Sequence, residues 1–454
     1  MKDKARKEEG APVREAISRR DFLKAGGAGV AGVLLVGVAG CGSSEDGGSS
    51  VESVGGVMIP TVSVRYGNAE FLDHTDAIIG VEKGWFEEVG ITLAPDPAGS
   101  LHTPGDHPAV MLADTVDVQS TNYQILLPAL AETDKLRMFA YGDFFIGFAL
   151  MGQPEFTSYS EFVEQGLGEQ EAVEKAVGQL EGRTLTWSPD AAVRGFGRSV
   201  LDAGNLPLEK VNVESLNDSQ GIQLMLAGRA DFQIGGAPTR ATLEQRGFKP
   251  ILTARDLTGI VKPPYESAEA LNTVSTNGWG TTVDYWESNQ DTCMRMASVK
   301  WRISKFIADN PEEAAEIHVP ALNRAAGTDL SVKDALTIYD SVDPYIPFEE
   351  QGELWFEPGK PTYELTMIEA AINSAVDNDV LPEGKAKPED VTIAHIVYRR
   401  AQDSRAKAED LMAQAEEANP EGEAAELLEA ARHHHGIYNY LDASRFAQAA
   451  VDKL

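Results

Sequence analysis

Residue types that commonly perform catalysis or bind metals are sparse and unfavourably spaced in this sequence. Two cysteines occur, Cys41 and Cys293, too few for a cysteine-rich zinc site or an iron–sulfur cluster. No nucleophile-elbow, phosphate-loop or His-Glu-x-x-His motif is present. The histidines and aspartates of residues 73–107 lack metal-ligand spacing on a helix, and the three histidines at 433–435 do not share a helix face, although they could bind a metal weakly. We therefore predict no catalytic residues, no cofactor and no dedicated metal site.

Polar and aromatic side chains instead follow the ends of short apolar segments. The carboxyl ends of strands and the first turns of the following helices offer free N–H groups and side-chain hydrogen bonds to a ligand. Some of these polar residues could be only helix caps, the glycine could serve only a turn, and the aromatic rings could only pack the core. The candidate ligand-binding residues are Asn68, Phe71, His74, Ser100, Asn122, Tyr123, Pro189, Asp190, Asn217, Gly236 and Trp279.

The segments that position these side chains alternate between strand and helix patterns from about residue 61. Residues 62–66 and 184–187 have strand composition, and each is followed by a loop and a helical pattern. This alternation is typical of βαβ units and a mostly parallel sheet. Residues 111–119 and 225–233 both begin with Met-Leu-Ala and both place an Asp before a buried strand. The sequence therefore predicts an α/β fold with two similarly wound lobes.

The first forty residues have the features of an export signal. The sequence Ser-Arg-Arg-Asp-Phe-Leu-Lys at residues 18–24 precedes an apolar segment rich in glycine and alanine at residues 25–40. The adjacent arginines and the residues that follow them resemble a twin-arginine signal. We expect residues 1–40 to be removed on export.

The sequence Val-Ala-Gly-Cys at residues 38–41 resembles a lipobox, which implies that Cys41 becomes the first mature residue and carries lipid. Two or more acyl chains hold a protein stably at a membrane. We expect an exported protein anchored on the outer face of the cytoplasmic membrane. Residues 41–60 are rich in Gly, Ser and Glu at their start and are predicted to be a flexible linker.

The chain of 454 residues carries 71 acidic and 39 basic side chains, a net charge of −32. This charge argues against nucleic acid as a partner, because a phosphate backbone requires a basic face. No run of 18 apolar residues occurs, which excludes a polytopic membrane protein. Residues 396–454 have helical spacing interrupted by Asn-Pro-Glu-Gly at 419–422, and they predict a C-terminal helical extension of two helices.

One opening motif resembles a known family. Residues 82–91, with Glu-Lys-Gly-Trp-Phe and then Gly-Ile, look like the solute-binding proteins of ABC importers, in particular the nitrate, sulfonate and taurine branch that also holds binders of thiamine-pyrimidine precursors. Asp-Asn-Pro-Glu-Glu-Ala-Ala at residues 309–315 also resembles that family, and the similarity extends over roughly residues 61–385.

The resemblance implies a two-lobed type II periplasmic-binding-protein fold with a hinge. Lobe one would comprise residues 61–149 and 273–395, and lobe two residues 150–272. A small solute would bind between the lobes of a monomer, which would deliver it to an ABC permease and its ATPase.

Three alternatives for the function remain open at the sequence level. The ligand could be nitrate, a sulfonate such as taurine, or a pyrimidine-like compound. The acidic residues Glu70, Asp73 and Asp190 suit a neutral or cationic heteroaromatic compound and slightly favour an organic, partly aromatic ligand. An enzyme for a pyrimidine precursor on the same fold would need a cysteine-rich metal motif that this sequence lacks. A sensor that has lost transport is the third reading.

Overall fold

The structure is a computed structural model, and it describes residues 50–189, 191–258, 274–326, 329–360, 362–377 and 380–454. The predicted signal at residues 1–40 and the predicted lipid attachment at Cys41 lie outside these ranges. In the part of the chain that is described, no helix combines the length and the apolar character needed to cross a membrane.

Lobe one is built on a six-stranded mixed sheet with the order β4-β3-β6-β13-β7, to which β5 adds at β3. Strands β3, β4 and β6 are parallel, and β13 runs antiparallel to both β6 and β7. The strands are β3 (Val62–Asn68), β4 (Ile91–Ala94), β5 (Ser100–Leu101), β6 (Val118–Asn122), β7 (Leu136–Phe145) and β13 (Ser275–Thr282).

Lobe two is built on a five-stranded sheet with the order β10-β9-β11-β8-β12. Strands β9, β10 and β11 are parallel, whereas β8 runs antiparallel to its two neighbours. The strands are β8 (Ala149–Gly152), β9 (Thr184–Trp187), β10 (Asn212–Ser215), β11 (Phe232–Gly235) and β12 (Lys249–Thr253).

Helices follow the strands in both lobes. Lobe one contains α1 (Ala77–Glu82), α2 (Trp85–Glu88), α3 (His107–Leu112), α4 (Tyr123–Leu126), α11 (Val283–Ser288), α12 (Gln290–Asp309), α13 (Pro311–Ala326), α14 (Val332–Ser341), α15 (Phe348–Gln351) and α16 (Glu364–Asp377). Lobe two contains α5 (Tyr159–Glu164), α6 (Glu169–Gly178), α7 (Ala191–Ala203), α8 (Asp218–Leu226), α9 (Ala237–Gln245) and α10 (Ala254–Thr258). Short 3₁₀ turns occupy Leu72–His74, Pro104–Asp106, Leu127–Ala131, Leu208–Lys210 and Pro388–Asp390, and a π-helical turn occupies Gly352–Phe356.

The chain passes from lobe one to lobe two in the short segment between β7 and β8. Phe145 and Phe148 pack edge to face in this crossing, with their ring centroids 4.8 Å apart, and Phe148 stacks on Phe196 of lobe two. Gly147 lies between them, and a Cβ atom there would come within 2.1 Å of a Val342 methyl group. The crossing is therefore tightly packed against both lobes.

The internal similarity seen in the sequence corresponds to equivalent positions in the two sheets. Asp117 precedes β6 and accepts a hydrogen bond from the backbone N–H of Arg65 at 2.7 Å, and Asp231 precedes β11 and accepts one from Thr184 at 2.9 Å. Each aspartate also pairs with an arginine of the neighbouring parallel strand or its approach, Arg65 and Arg183 respectively. One carboxylate thus joins two parallel strands in each lobe.

The prediction of a flexible linker is wrong for residues 50–60. These residues form an antiparallel hairpin of β1 (Ser50–Val54) and β2 (Val57–Pro60). Ile59 of β2 is buried in a small apolar core with Leu427, Leu428 and Phe446 of the C-terminal helices. The hairpin is ordered because its apolar side chains complete this core.

The C-terminal extension contains three helices, where the sequence predicted two. They are α17 (Ala394–Glu417), α18 (Glu423–Gly436) and α19 (Tyr440–Asp452). The second break falls at Tyr438, which adopts a positive φ of 66°. Gly436, the last residue of α18, is a helix-stop signal two residues before Tyr438 that the sequence prediction did not use.

Candidate ligand-binding site

Asn122 begins a chain of hydrogen bonds at the end of strand β6. It caps helix α4 by accepting a hydrogen bond from the backbone N–H of Ile125 at 3.0 Å, so its amide nitrogen points the other way. That nitrogen donates to the side-chain oxygen of Asn277 at 3.1 Å. The Asn277 nitrogen in turn donates to Asp73 at 2.7 Å and to Asp143 at 2.8 Å. A backbone group therefore sets the orientation of both amides.

The same network continues into a buried ionic cluster. Lys300, on helix α12, forms a salt bridge with Asp76, and its Nζ lies 3.9 Å from the Oδ2 atom of Asp143. All three side chains are fully buried. Gly142 leaves room for the lysine, because a Cβ atom there would lie 2.0 Å from the Lys300 Cε.

Asp343 adds a further carboxyl group to this cluster. Carboxylate oxygens of Asp73, Asp143 and Asp343 lie within 4.8 Å of one another. Burial raises the pKa of Asp73 and of Asp143 to about 7, and burial raises the pKa of Asp343 well above its usual range. Burial alone would lower the pKa of Lys300, but the carboxylates of Asp76 and Asp143 raise it above its usual value. Lys300 is therefore charged, and it balances one carboxylate of the four.

A second set of polar groups lines a cavity between the two lobes. The cavity has a volume of about 60 Å³, and Arg194 and Arg198 from helix α7 of lobe two line it. Gln124 and Ser374 face it from lobe one. The Nε atom of Arg194 is buried and has no hydrogen-bond partner among the described residues. The apolar part of the wall is formed by Leu127, Ala192, Ala371, Ala375 and Val380.

The cavity and the ionic cluster are neighbours at the same edge of the lobe-one sheet. Gln124 of the cavity accepts a hydrogen bond from the Ser275 hydroxyl at 2.5 Å. Ser275 lies two residues before Asn277 on β13, a separation of about 7 Å along a strand. A solute in the cavity would therefore lie close to the cluster.

The structure places the candidate residues of lobe one unevenly. Asn122 belongs to the polar network, and Asn68 is buried nearby with its amide donating to the Ala98 carbonyl at 2.5 Å. Ser100 is half-buried and pairs with His102 at 2.8 Å. Tyr123 is fully buried, with no hydrogen-bond partner for its hydroxyl in the described part of the chain.

His74 and Phe71 lie in the loop after β3, which also contains Glu70 and Asp73. The His74 ring is buried, with its Nδ1 atom 3.2 Å from the Ser120 hydroxyl, and Phe71 packs edge-on against it. Burial lowers the pKa of His74 to about 3, so its imidazole is neutral. His74 is thus buried in lobe one, with its Nε2 atom 3.8 Å from Asp73 Oδ2 of the acidic cluster.

The candidate residues of lobe two occupy strand ends as expected, but the structure does not bring them into the cavity. Pro189 is exposed after β9, and α7 begins at Ala191. Asn217 is exposed and caps α8 by accepting from the Gln220 N–H at 2.9 Å. Gly236 precedes α9, where a Cβ atom would lie 3.2 Å from the Phe145 ring. Asp190 lies outside the described residues.

Trp279 does not form the cleft wall that its position between two glycines suggested. It is fully buried in the middle of β13, edge-on to Tyr66 and stacked on Phe86. The flanking glycines serve close strand packing, since a Cβ atom at Gly278 would lie 2.0 Å from the Ala140 carbonyl oxygen.

The His433–His435 run also has a structural role. His434 is buried, stacks on Phe446 and pairs with Asn439, whereas His435 contacts Glu409 at 3.1 Å. The three imidazoles therefore do not converge on one point.

Sequence reasoning missed Asn277, Asp143, Asp343 and Lys300 as members of the site. One signal was present for the lysine. In α12 the positions 293, 296, 300, 303 and 307 form one buried stripe, and Lys300 is the charged residue in its middle. A charge on an apolar stripe requires a buried partner, so it predicts an internal ion pair.

Comparisons with known proteins agree with this architecture. Residues 16–36 match the family model of the twin-arginine translocation pathway signal sequence, which confirms the predicted export signal. No curated protein matches the chain in sequence.

Several solved structures share the arrangement of the two lobes. The periplasmic nitrate-binding protein NrtA from Synechocystis PCC 6803 has 13% identity and a TM-score of 0.54, covering 76% of this chain and 89% of that chain. The periplasmic aliphatic sulphonate-binding protein SsuA from Escherichia coli has 12% identity and a TM-score of 0.52, covering 72% and 91%. The alkanesulfonate-binding protein SsuA from Xanthomonas axonopodis pv. citri, bound to MOPS, has 9% identity and a TM-score of 0.51, covering 73% and 97%.

The chain has the two-lobed fold of periplasmic binding proteins. The predicted α/β fold class is thereby confirmed, with its C-terminal helical extension. The cavity lined by Arg194 has walls from both lobes of this fold, with Gln124 on the side of lobe one.

Proposed function

We propose that this protein is the extracytoplasmic solute-binding component of an ABC importer. Three features support the proposal: the two-lobed fold, the twin-arginine signal and a polar cavity between the lobes. The lobes close on a small solute by a hinge motion, and the closed form presents the solute to a permease and its ATPase. The protein acts as a monomer and performs no covalent chemistry.

The solute is a small anion, either an organic sulfonate or nitrate. Arg194 carries this assignment, because its side chain lines the cavity between the lobes and its buried Nε atom lacks a hydrogen-bond partner among the described residues. A guanidinium group matches the oxygens of planar or tetrahedral anions. Arg198 lines the same cavity and strengthens the preference. These two side chains favour an anionic solute over the pyrimidine-like ligand that the acidic loops suggested.

The protein is held at the outer face of the cytoplasmic membrane by lipid on Cys41. Its net charge of −32 opposes attachment to anionic headgroups through the protein surface. Replacing Cys41 with serine will move the exported protein from the membrane fraction to the soluble fraction. Membrane retention of Cys41→Ser would contradict the anchor.

Titration calorimetry with taurine, ethanesulfonate, nitrate and an aminopyrimidine tests the ligand class. A sulfonate or nitrate should bind, and Arg194→Gln should weaken binding by about 1.5–3 kcal/mol, at least tenfold in Kd. The matched control is Arg229→Gln, which removes an exposed charge from the same lobe and should bind like the parent protein. Binding of the aminopyrimidine alone, or equal affinity of the Arg194 and Arg229 variants, would refute the anionic assignment.

A further inference from the structure

Three carboxylates of lobe one converge from separate parts of the chain. Asp73 belongs to the turn after β3, Asp143 to the end of β7, and Asp343 to the loop after α14. One oxygen from each lies within 4.8 Å of the others. Oxygen ligands lie about 2.3–2.6 Å from a bound Ca²⁺, so two of them can be at most about 5 Å apart. The three oxygens therefore have the spacing of a cation's ligand shell.

Buried oxygen atoms of this cluster and of Tyr345 beside it receive no hydrogen bond from a donor outside the cluster. Among the described residues this applies to Asp143 Oδ2, Asp343 Oδ1 and the Tyr345 hydroxyl, while the carboxyl groups of Asp143 and Asp343 interact with each other. Tyr345 pairs directly opposite Asp143 across a β-bridge, so the two side chains share one face. A buried oxygen without a partner destabilises the folded protein, and more so when it is charged.

We propose that Asp73, Asp143 and Asp343 bind one hard divalent cation such as Ca²⁺ in lobe one, with the Tyr345 hydroxyl beside it. All three ligands are carboxylates, a set that suits Ca²⁺, Mg²⁺ or Mn²⁺. The site belongs to lobe one alone and does not depend on which solute enters the cleft.

The surrounding hydrogen bonds orient the ligands for this role. Asn277 donates to one oxygen of Asp73 and to one oxygen of Asp143, at 2.7 and 2.8 Å. Asn122 holds the Asn277 amide in that orientation, and the Ile125 N–H holds Asn122. These contacts fix the carboxylates, and Asp143 Oδ2, which lies 3.9 Å from Lys300 Nζ, accepts no hydrogen bond from Asn277. Outer partners of this kind position metal ligands in proteins.

The charge of the cluster also calls for a cation. Four carboxyl groups, those of Asp73, Asp76, Asp143 and Asp343, surround the single ammonium of Lys300. Lys300 forms a close salt bridge with Asp76 and lies 3.9 Å from Asp143 Oδ2, so one ammonium group faces the four carboxyl groups. Asp73 retains 13% exposure of its side chain and gives an ion a route from solvent.

The test measures binding of Ca²⁺, Mg²⁺ and Mn²⁺ to the purified protein after chelation, with no solute present. Titration calorimetry should show one ion bound per chain, with a matching rise in unfolding temperature. Asp343→Asn should weaken binding by at least about tenfold. Asp340→Asn is the matched control, because it removes an exposed charge only three residues away and should bind like the parent protein.

The stability of Asp343→Asn without the ion separates a lost site from a damaged fold. Because asparagine has nearly the shape of aspartate and carries no charge, the chelated variant should be about as stable as the chelated parent, and only the parent should gain stability with the ion. Absence of binding to the parent, or equal ion affinity in both proteins, would overturn the proposal. Binding of an amine-bearing solute that requires Asp343 and excludes the metal would also overturn it. Because no solute is needed, the outcome is independent of the proposed transport function.

Discussion

The buried salt bridge between Arg295 and Asp442 should hold the C-terminal extension on lobe one. Arg295 lies on α12 and Asp442 on α19, with Nε and Oδ2 2.9 Å apart and both side chains 2% exposed. Asp442 also accepts from Asn439 and Arg445, each at 3.0 Å. Arg295 reaches the Pro60 carbonyl of the hairpin. One ion pair therefore connects the extension, the hairpin and lobe one.

Asp442→Asn should lower the free energy of unfolding by about 3–5 kcal/mol. Removing one partner of a buried pair leaves the other charge buried without compensation. This loss is a large part of a typical total of 5–15 kcal/mol, and it should lower the unfolding temperature by about 4–6 °C. Replacing both partners, Arg295→Met with Asp442→Leu, should recover most of the loss because no charge then remains buried.

Circular dichroism during thermal and urea unfolding, together with limited proteolysis of the extension, provides the assay. Asp403→Asn is the control, because it removes an exposed aspartate of α17 and should change stability by less than about 0.5 kcal/mol. The reasoning is refuted if Asp442→Asn behaves like that control, or if the double replacement is as unstable as the single one.

The same pair gives the extension an acid-sensitive contribution. Burial alone would raise the pKa of Asp442, but Arg295 more than offsets this and lowers it below its usual value. A carboxyl group whose pKa is lower in the folded state stabilises the protein above its unfolded pKa, near 4, and loses this contribution as the pH falls through the folded value. Urea unfolding between pH 5 and pH 2 should therefore show a steeper loss in the parent protein than in Asp442→Asn.

Two further predictions concern packing. Gly147→Ala should destabilise the protein by about 1–3 kcal/mol in urea unfolding, because its Cβ would lie 2.1 Å from a Val342 methyl group in the crossing. Gly178→Ala, with nothing within 4 Å, should be neutral or stabilising, and equal effects of the two would contradict the crossing geometry. In a Cys41→Ser background, Cys293 should resist thiol reagents until the protein unfolds, since the thiol is buried and burial raises its pKa. Rapid labelling of the native protein would show that this part of α12 is open.

The sequence allowed prediction of what depends on local pattern. Residues 62–66 and 184–187 are strands, and Asn122 lies at a strand end in the polar network, because strand period and capping are read over a few residues. The rule that ligands bind beyond the carboxyl ends of strands directed attention to the edge of the sheet where the candidate site lies. It could not show that Asn122 hydrogen-bonds to Asn277, whereas His74 contacts Ser120 and lies 3.8 Å from Asp73.

The remaining site residues could not be found in this way because they converge from distant parts of the chain. Asp143 of β7 and Asn277 of β13 are paired across two antiparallel strands. Asp343 reaches Asp143 from a loop between helices. Aspartate and asparagine are common at protein surfaces, and only their burial in this structure distinguishes these three residues. The prediction that Trp279 forms a wall of the cleft was wrong for a different reason. Its glycine neighbours suggested an open position, but in the structure they allow neighbouring strands to pack closely.

Net charge gives little information about the solute. At physiological ionic strength the Debye length is about 8 Å, so a small ligand responds mainly to charges in and beside the cavity. Those charges are Arg194 and Arg198 on lobe two, and the cluster around Lys300 on lobe one. An overall charge of −32 is thus compatible with an anion-binding cleft, although it argues against nucleic acid as the main partner. The acidic cluster within Asp73, Asp143 and Asp343 would repel an anion next to it, and a bound divalent cation removes most of that repulsion. The cation site and the anionic solute are therefore mutually consistent, and each can be tested without the other.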